Sequence, residues 1–259
     1  IYWDLKKNHF PHLLCTTNFI LHGIDIPYNV RHDNTLAKPL ISWTSKDKVD
    51  VIITNPPFGG IEEDGIEANF PTNLRTRETA DLFMVLIMHL LKPNGRAAIV
   101  LPDSFLSGEG VKAKIREKLL KEFNLHTIIR LPNSVFQPYA SVATNLLFFE
   151  REEYTKDIWY YEHRLPENYK SYSKTKPIRL EEFNPIRSWW NKRESNKNAW
   201  NVKINQIEKN NYILDIKNPN NKLAESKETS QDIFLNLKKS IEKNNLLLKQ
   251  IEKLINDSK

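Results

Sequence analysis

Apolar and polar positions along the chain fall into two rhythms. Short, largely apolar runs at 51–53, 97–101, 125–131 and 142–149 have strand length, the pattern of strands buried on both faces. Helix-length stretches lie between and before them. Phe10 to His22 has apolar positions near helical spacing and stops at Gly23. Tyr28 to His32 reads as a short strand ending at Asp33. Ala80 to Leu91 is almost wholly apolar, which predicts a buried helix closed by Pro93-Asn94-Gly95. Gly110 to Phe123 is amphipathic. Strands that alternate with helices in this way predict an α/β domain with a mostly parallel sheet. Pro132 to Ser141 reads as a turn into the long strand 142–149.

The pattern changes after Glu150. Trp159, Trp189, Trp190 and Trp200 lie among many lysines and arginines, and Ser171 to Pro177 is a polar run. Basic residues interleaved with aromatics mark either nucleic-acid contact or satellite packing on the main domain; packing is the stronger reading for the tryptophans. Tyr212-Ile213-Leu214 reads as a short strand. In the last stretch Phe234, Leu237, Ile241, Asn244, Leu248, Ile251 and Ile255 recur three and four apart, a heptad seam with one polar position. Thr229 with Asp232 gives it a start signal. A lone helix of this kind needs a partner. The organisation expected is therefore 1–150 as the main domain, 151–220 as a mixed basic and aromatic extension, and 221–259 as a coiled-coil-like helix.

Composition narrows this only slightly. Lys and Arg outnumber Asp and Glu by 38 to 32 in 259 residues, a mildly basic balance compatible with nucleic acid. A single cysteine, Cys15, excludes an internal disulfide framework and fits a reducing cytoplasm. The seven histidines are scattered without ligand spacing, so no metal site is expected. No apolar run is long enough to span a membrane, and no signal peptide is visible. The chain opens with Ile1, which reads as the continuation of a longer polypeptide.

The chemistry concentrates in Asn55-Pro56-Pro57-Phe58, directly after the buried strand read at 51–53. Prolines cannot continue a ladder, so the strand ends there, and in open α/β sheets ligands bind outside the carboxyl ends of strands. The Asn55 side-chain oxygen and the Pro56 carbonyl are two acceptors side by side, suited to an NH2 group. The Phe58 ring suits a planar base stacked on it. A Pro-Pro turn that Asn55 merely caps fits the tetrapeptide equally. Residues 59–79 form a loop longer than ordinary connections, which marks it as functional or mobile. Arg75 and Arg77 are its candidate phosphate contacts, although two solvated arginines fit as well.

Asn55-Pro56-Pro57-Phe58-Gly59-Gly60, together with Leu14 to Ile24, Asp33-Asn34-Thr35-Leu36, Leu91 to Pro102 and Tyr139 to Phe149, resembles the modification subunit of type I restriction–modification systems, a family of N6-adenine DNA methyltransferases. The resemblance implies a Rossmann-like sheet with its last strand antiparallel and S-adenosylmethionine as cofactor. It implies Asn55, Pro56, Pro57 and Phe58 as the catalytic motif and Phe136 as a second ring against the target base. It places Asp4 at the cofactor's ribose and Asp33 at its adenine amine, where a surface aspartate and an Asp-Asn turn are the alternatives. DNA is the implied substrate, and the C-terminal helix is the implied hold for a specificity subunit, with packing on its own core or on a second copy as the alternatives. A restriction subunit is admitted without being required. Methylation of cytosine N4 and a non-enzymatic assembly or DNA-binding module are the rival readings. The family's Gly-rich cofactor turn has no counterpart among the seven glycines, so the first strand and that turn are expected upstream.

Overall fold

The computed structural model describes residues 3–4, 9–24, 30 and 32–221, and in the C-terminal stretch residues 234–235, 237–238, 241–242 and 244–245. The chain divides into two compact units, Ile1–Asn218 and Pro219–Lys259.

The first unit is built on a six-stranded sheet. Its strands are β3 (Val49–Thr54), β4 (Leu91–Pro102), β5 (Asn124–Arg130), β6 (Thr144–Glu150), β7 (Asp157–Glu162) and β8 (Ala199–Lys203), in the order β3-β4-β6-β5-β7-β8. β3 runs parallel to β4 and β5 parallel to β7. β6 is antiparallel to both its neighbours, β4 and β5, and β8 to β7. Four strands thus point one way and two the other. A separate two-stranded parallel sheet joins β1 (Trp3–Asp4) to β2 (His32–Asp33), with Asp4 paired to Asp33.

The strands are central because their side chains are apolar in register. Ile99, Leu101, Leu125, Ile128, Leu147 and Phe149 are essentially buried, and all belong to one core. Helix α2 (Thr79–Leu90) lies within that core, buried from Thr79 through Met88. Helix α4 (Val111–Glu122) buries Ala113, Ile115, Leu119 and Leu120 on one face. It pairs Glu117 with Lys121 and Lys118 with Glu122 at 2.6 Å on the other. The first helix, α1 (His9–Leu21), ends at Gly23, whose φ of 81° is the left-handed geometry that glycine adopts without strain.

Several expectations change. Pro93-Asn94-Gly95 does not separate helix from strand, because β4 already begins at Leu91. Instead Asn94 takes φ 61° within the strand and donates to the Arg151 carbonyl at 2.9 Å, and the β3–β4 register shifts at this point. A short helix, α3 (Asp103–Ser107), stands between β4 and α4 where the sequence signalled none. Residue 150 is not a boundary: β7 and β8 extend the same sheet, and Tyr160 and Trp200 stack in its core at 5.3 Å. Tyr212 to Leu214 is not a strand; the helix Ile204–Lys209 runs into a turn with Tyr212 at φ 56°. The extension's tryptophans pack as the sequence favoured: Trp189 is buried against Tyr161, with Trp159 and Trp190 around it. Of the expected strand at 28–32, Val30 and His32 are among the described residues, and His32 alone of the two lies in a strand, β2.

β3 pairs with β4 alone among the described residues. On one face of the sheet β3 leaves Val49, Val51 and Ile53 exposed, Ile53 by 82%. Apolar residues of α1 are also exposed: Phe10, Leu13, Leu14, Ile20 and Leu21. In the second unit the described residues from Phe234 onward are helical, and Phe234, Leu237, Ile241 and Asn244 are all exposed. Leu248, Ile251 and Ile255 lie outside the described residues.

Candidate active site

The carboxyl edge of the sheet gathers the candidate residues. β3 ends at Thr54, paired with Ile99 of β4, so Asn55 emerges beside β4 where no ladder continues. Asn55 and Pro57 are exposed, Pro56 is buried and Phe58 is half-buried. Pro56 thus anchors the motif while Asn55 faces solvent. Gly59 turns the chain with φ 65°.

The loop after the motif is compact. An antiparallel bridge joins Ile61 to Glu78. The Glu62 amide donates to the Arg77 carbonyl at 2.8 Å, and the Thr79 amide to the Gly60 carbonyl at 2.9 Å. Two short 3-10 helices, Ile66–Asn69 and Thr72–Leu74, fold the intervening residues, with Phe70 and Leu74 buried beneath them. A closed loop with its own apolar anchors holds its shape.

The two candidate arginines serve this loop. Arg75 Nε donates to the Phe70 carbonyl at 3.1 Å. Arg77 donates to the Glu62 carbonyl through Nη2 at 3.0 Å and pairs with Asp64 at 2.8 Å. Both residues remain exposed at the surface.

Phe136 comes to the motif from the loop between β5 and β6. Its ring meets Phe58 edge-on, with centroids 5.1 Å apart and planes at 78°. Turns at Pro132, Ser134 and Phe136 shape that loop. The Val135 amide donates to the Pro132 carbonyl at 3.2 Å and the Tyr139 amide to the Phe136 carbonyl at 2.8 Å. The buried Ser134 hydroxyl accepts from the Tyr172 amide at 2.8 Å, tying the loop to the extension. Tyr172 in turn donates its hydroxyl to Glu182, and His163 stands 3.2 Å from the same hydroxyl. Burial and the bond to Glu182 hold the Tyr172 phenol well above its usual range.

Asp4 and Asp33 stand at the carboxyl ends of paired parallel strands. The Asp33 carboxylate is exposed and accepts from the Asn34 amide at 2.7 Å.

One polar cluster at the same edge was not singled out in the sequence. Asp103, just past β4, accepts from Asn145 Nδ2 at 2.7 Å and lies 3.5 Å from Arg130 Nη2, while Arg130 pairs with Asp215 at 2.6 Å. Pro102-Asp103 ends an apolar strand just as Asn55-Pro56 does, and that shared strand-end signal points to it. Among the described residues no helix is long and apolar enough to cross a membrane, and no group of His, Cys, Asp and Glu could hold a metal ion.

With this geometry in view, the comparisons are specific. The model of the N-6 DNA methylase family matches residues 1–228. The methylase subunit of the type I restriction enzyme EcoEI from Escherichia coli is 56% identical over 224 residues, covering 84% of this chain and 45% of that subunit. Among solved structures, a chain described as a modification subunit of a type I restriction enzyme from Vibrio vulnificus YJ016 superposes with a TM-score of 0.78 at 47% identity. That match covers 82% of this chain and 47% of the other. A chain of a type I R-M system, solved in work on complex assembly and conformational transition, gives a TM-score of 0.78 at 34% identity, covering 98% and 54%. The chain therefore spans about half the length of the curated relative it matches at 45% coverage.

Proposed function

The chain belongs to the N-6 DNA methylase family, and from that premise we propose that it is the catalytic part of a type I modification subunit, methylating adenine N6 in DNA. The observation that carries the reading is the placement of exposed Asn55 beside the Phe58–Phe136 ring pair at the carboxyl edge of the sheet.

S-adenosylmethionine, when bound, supplies the methyl group. The residues of this chain hold the base. The adenine amine is a weak nucleophile because its lone pair is delocalised into the ring. The Asn55 side-chain oxygen and the Pro56 carbonyl accept its two hydrogens, favour a tetrahedral nitrogen, and stabilise the positive charge that develops there. Pro57 fixes the turn that aims both acceptors. Phe58 and Phe136 clamp the flipped base. Asp33 and Asp4 take the adenine and ribose of the cofactor, and Arg75 and Arg77 face DNA phosphates at the rim.

We also propose that a strand carrying the Gly-rich turn lies upstream in the full polypeptide and pairs with β3. The exposed Val49, Val51 and Ile53, the separate β1–β2 sheet and the uncovered apolar face of α1 support it. The seam at Phe234, Leu237 and Ile241 holds a specificity subunit that reads the DNA sequence, and a restriction subunit joins the same complex. The assembly works in the cytoplasm.

The test is calorimetric titration with S-adenosylmethionine and labelled methyl transfer to duplex DNA, on this chain and on the chain extended upstream. Binding and transfer by the extended chain alone are expected. Binding by neither would replace this reading with the assembly-module one, and transfer to cytosine N4 would replace the substrate.

A further inference from the structure

We infer that Glu62 is a positioning residue that ties the cofactor-side turn at Asn34 to the loop behind the catalytic motif, an inference that rests on the methyltransferase reading above. Glu62 is 1% exposed, although its neighbours Ile61, Glu63, Asp64 and Gly65 are all exposed. Burying a carboxylate is costly unless its oxygens are bonded. Here each oxygen meets a donor from a different part of the chain: Oε1 accepts from the Thr79 hydroxyl at 2.8 Å, and Oε2 from Asn34 Nδ2 at 3.3 Å.

Both ends of this tie reach the site. Asn34 follows Asp33, and its own side-chain oxygen accepts from the Leu36 amide at 3.0 Å, so its orientation is fixed. Thr79 opens α2, and its amide donates to the carbonyl of Gly60, two residues beyond Phe58. A Cβ on Gly60 would lie 2.7 Å from the Thr79 hydroxyl, so glycine there leaves that hydroxyl room to reach Glu62. The backbone of Glu62 is held independently by Arg77, from the 2.8 Å amide bond and the guanidinium. A carboxylate suits the position because both facing groups donate, and only an acceptor on each oxygen satisfies both. Shifting Asn34 therefore shifts the loop that carries Phe58, and the two sites share one set of contacts.

Thr79→Val removes one donor with little change in shape, and it is the first variant to test in the full-length polypeptide. Hydrogen exchange of the Leu36 amide, measured without cofactor, should accelerate roughly three- to ten-fold, the loss of about one hydrogen bond. Calorimetric affinity for S-adenosylmethionine should fall about five-fold or more, and Thr79→Val should add nothing further once Glu62→Ala is present. Unchanged Leu36 exchange in a variant that melts like the parent would overturn the tie. So would faster exchange with unaltered affinity, or fully additive effects. A parent protein that binds no S-adenosylmethionine would instead overturn the functional reading, and Leu36 exchange alone would then decide whether Glu62 links the two segments.

Discussion

The Phe136 ring meets the Phe58 ring edge-on at 5.1 Å, joining a loop after β5 to the motif after β3 across two intervening strands. An edge-to-face pair leaves no slot between two ring faces, so the proposed stacking of a base between them requires the pair to open. Each base–ring contact is worth about 1–3 kcal/mol. Phe136→Ala should therefore raise the KM for duplex DNA roughly ten- to hundred-fold, with a smaller change in kcat. Phe58→Ala should do the same. The double variant should lose less than the product of the two, because both rings serve one base. Steady-state methyl transfer on a duplex with a single target adenine measures all three, and an unchanged KM for Phe136→Ala would remove that ring from the site.

Asn55 makes a sharper prediction because it is exposed and holds no part of the core. Asn55→Ala should lower methyl transfer on the order of a hundred-fold or more, the usual effect of removing one group that stabilises developing charge. Its melting temperature and its calorimetric affinity for S-adenosylmethionine should match those of the parent, as for other exposed substitutions. Retained transfer in the assembled complex would refute the role given to Asn55.

Much of this site was legible before the fold. Asn55-Pro56-Pro57-Phe58 announces itself because proline ends a strand and an apolar run precedes it, two local signals that need no tertiary context. The meeting of Phe58 with Phe136 is a different matter. Residues 78 positions apart touch only because β6 inserts antiparallel between β4 and β5, and periodicity cannot set that order; family resemblance supplied it. The loop 59–79 read as a long connection because its bonds are nonlocal, from Glu62 to Asn34 and from Asn69 to the Leu36 carbonyl. The boundary drawn at Glu150 failed for a related reason. The change in composition there is real, but β7 hydrogen-bonds to β5, and strand pairing ignores charge content. Asn94 was read as a helix-ending turn residue; its positive φ is used within β4 instead.

His126 gives a pH prediction. Burial, reinforced by the Arg193 guanidinium, holds its imidazole down at about 4, against an ordinary value of 6.5. The unfolded chain therefore takes up a proton at higher pH than the folded one. Stability from this group is complete above pH 6.5 and is lost as pH falls from there toward 4. The loss amounts to at most about 3 kcal/mol. Urea midpoints measured between pH 7 and 4.5 should fall steeply in the parent and less steeply in His126→Gln, which cannot titrate. Equal slopes in the two proteins would assign the acid sensitivity to other groups.

The C-terminal seam lets the proposed assembly be tested apart from folding. Phe234, Leu237 and Ile241 are each more than half exposed, and they belong to the unit Pro219–Lys259 rather than to the one that carries the site. Three and four residues apart on a helix, they form one apolar stripe, which water disfavours and a partner helix would cover. Charges at two seam positions should abolish such pairing, since a buried unpaired carboxylate costs several kcal/mol. Leu237→Asp with Ile241→Asp should therefore prevent co-purification with the specificity subunit. The thermal midpoint of the first unit and calorimetric binding of S-adenosylmethionine by the full-length polypeptide should stay as in the parent. Methylation should disappear with assembly, because the DNA-reading subunit is no longer held. A doubly substituted protein that still assembles would show that this stripe is not the contact. One that loses cofactor binding as well would show that the helix supports the catalytic unit rather than a partner.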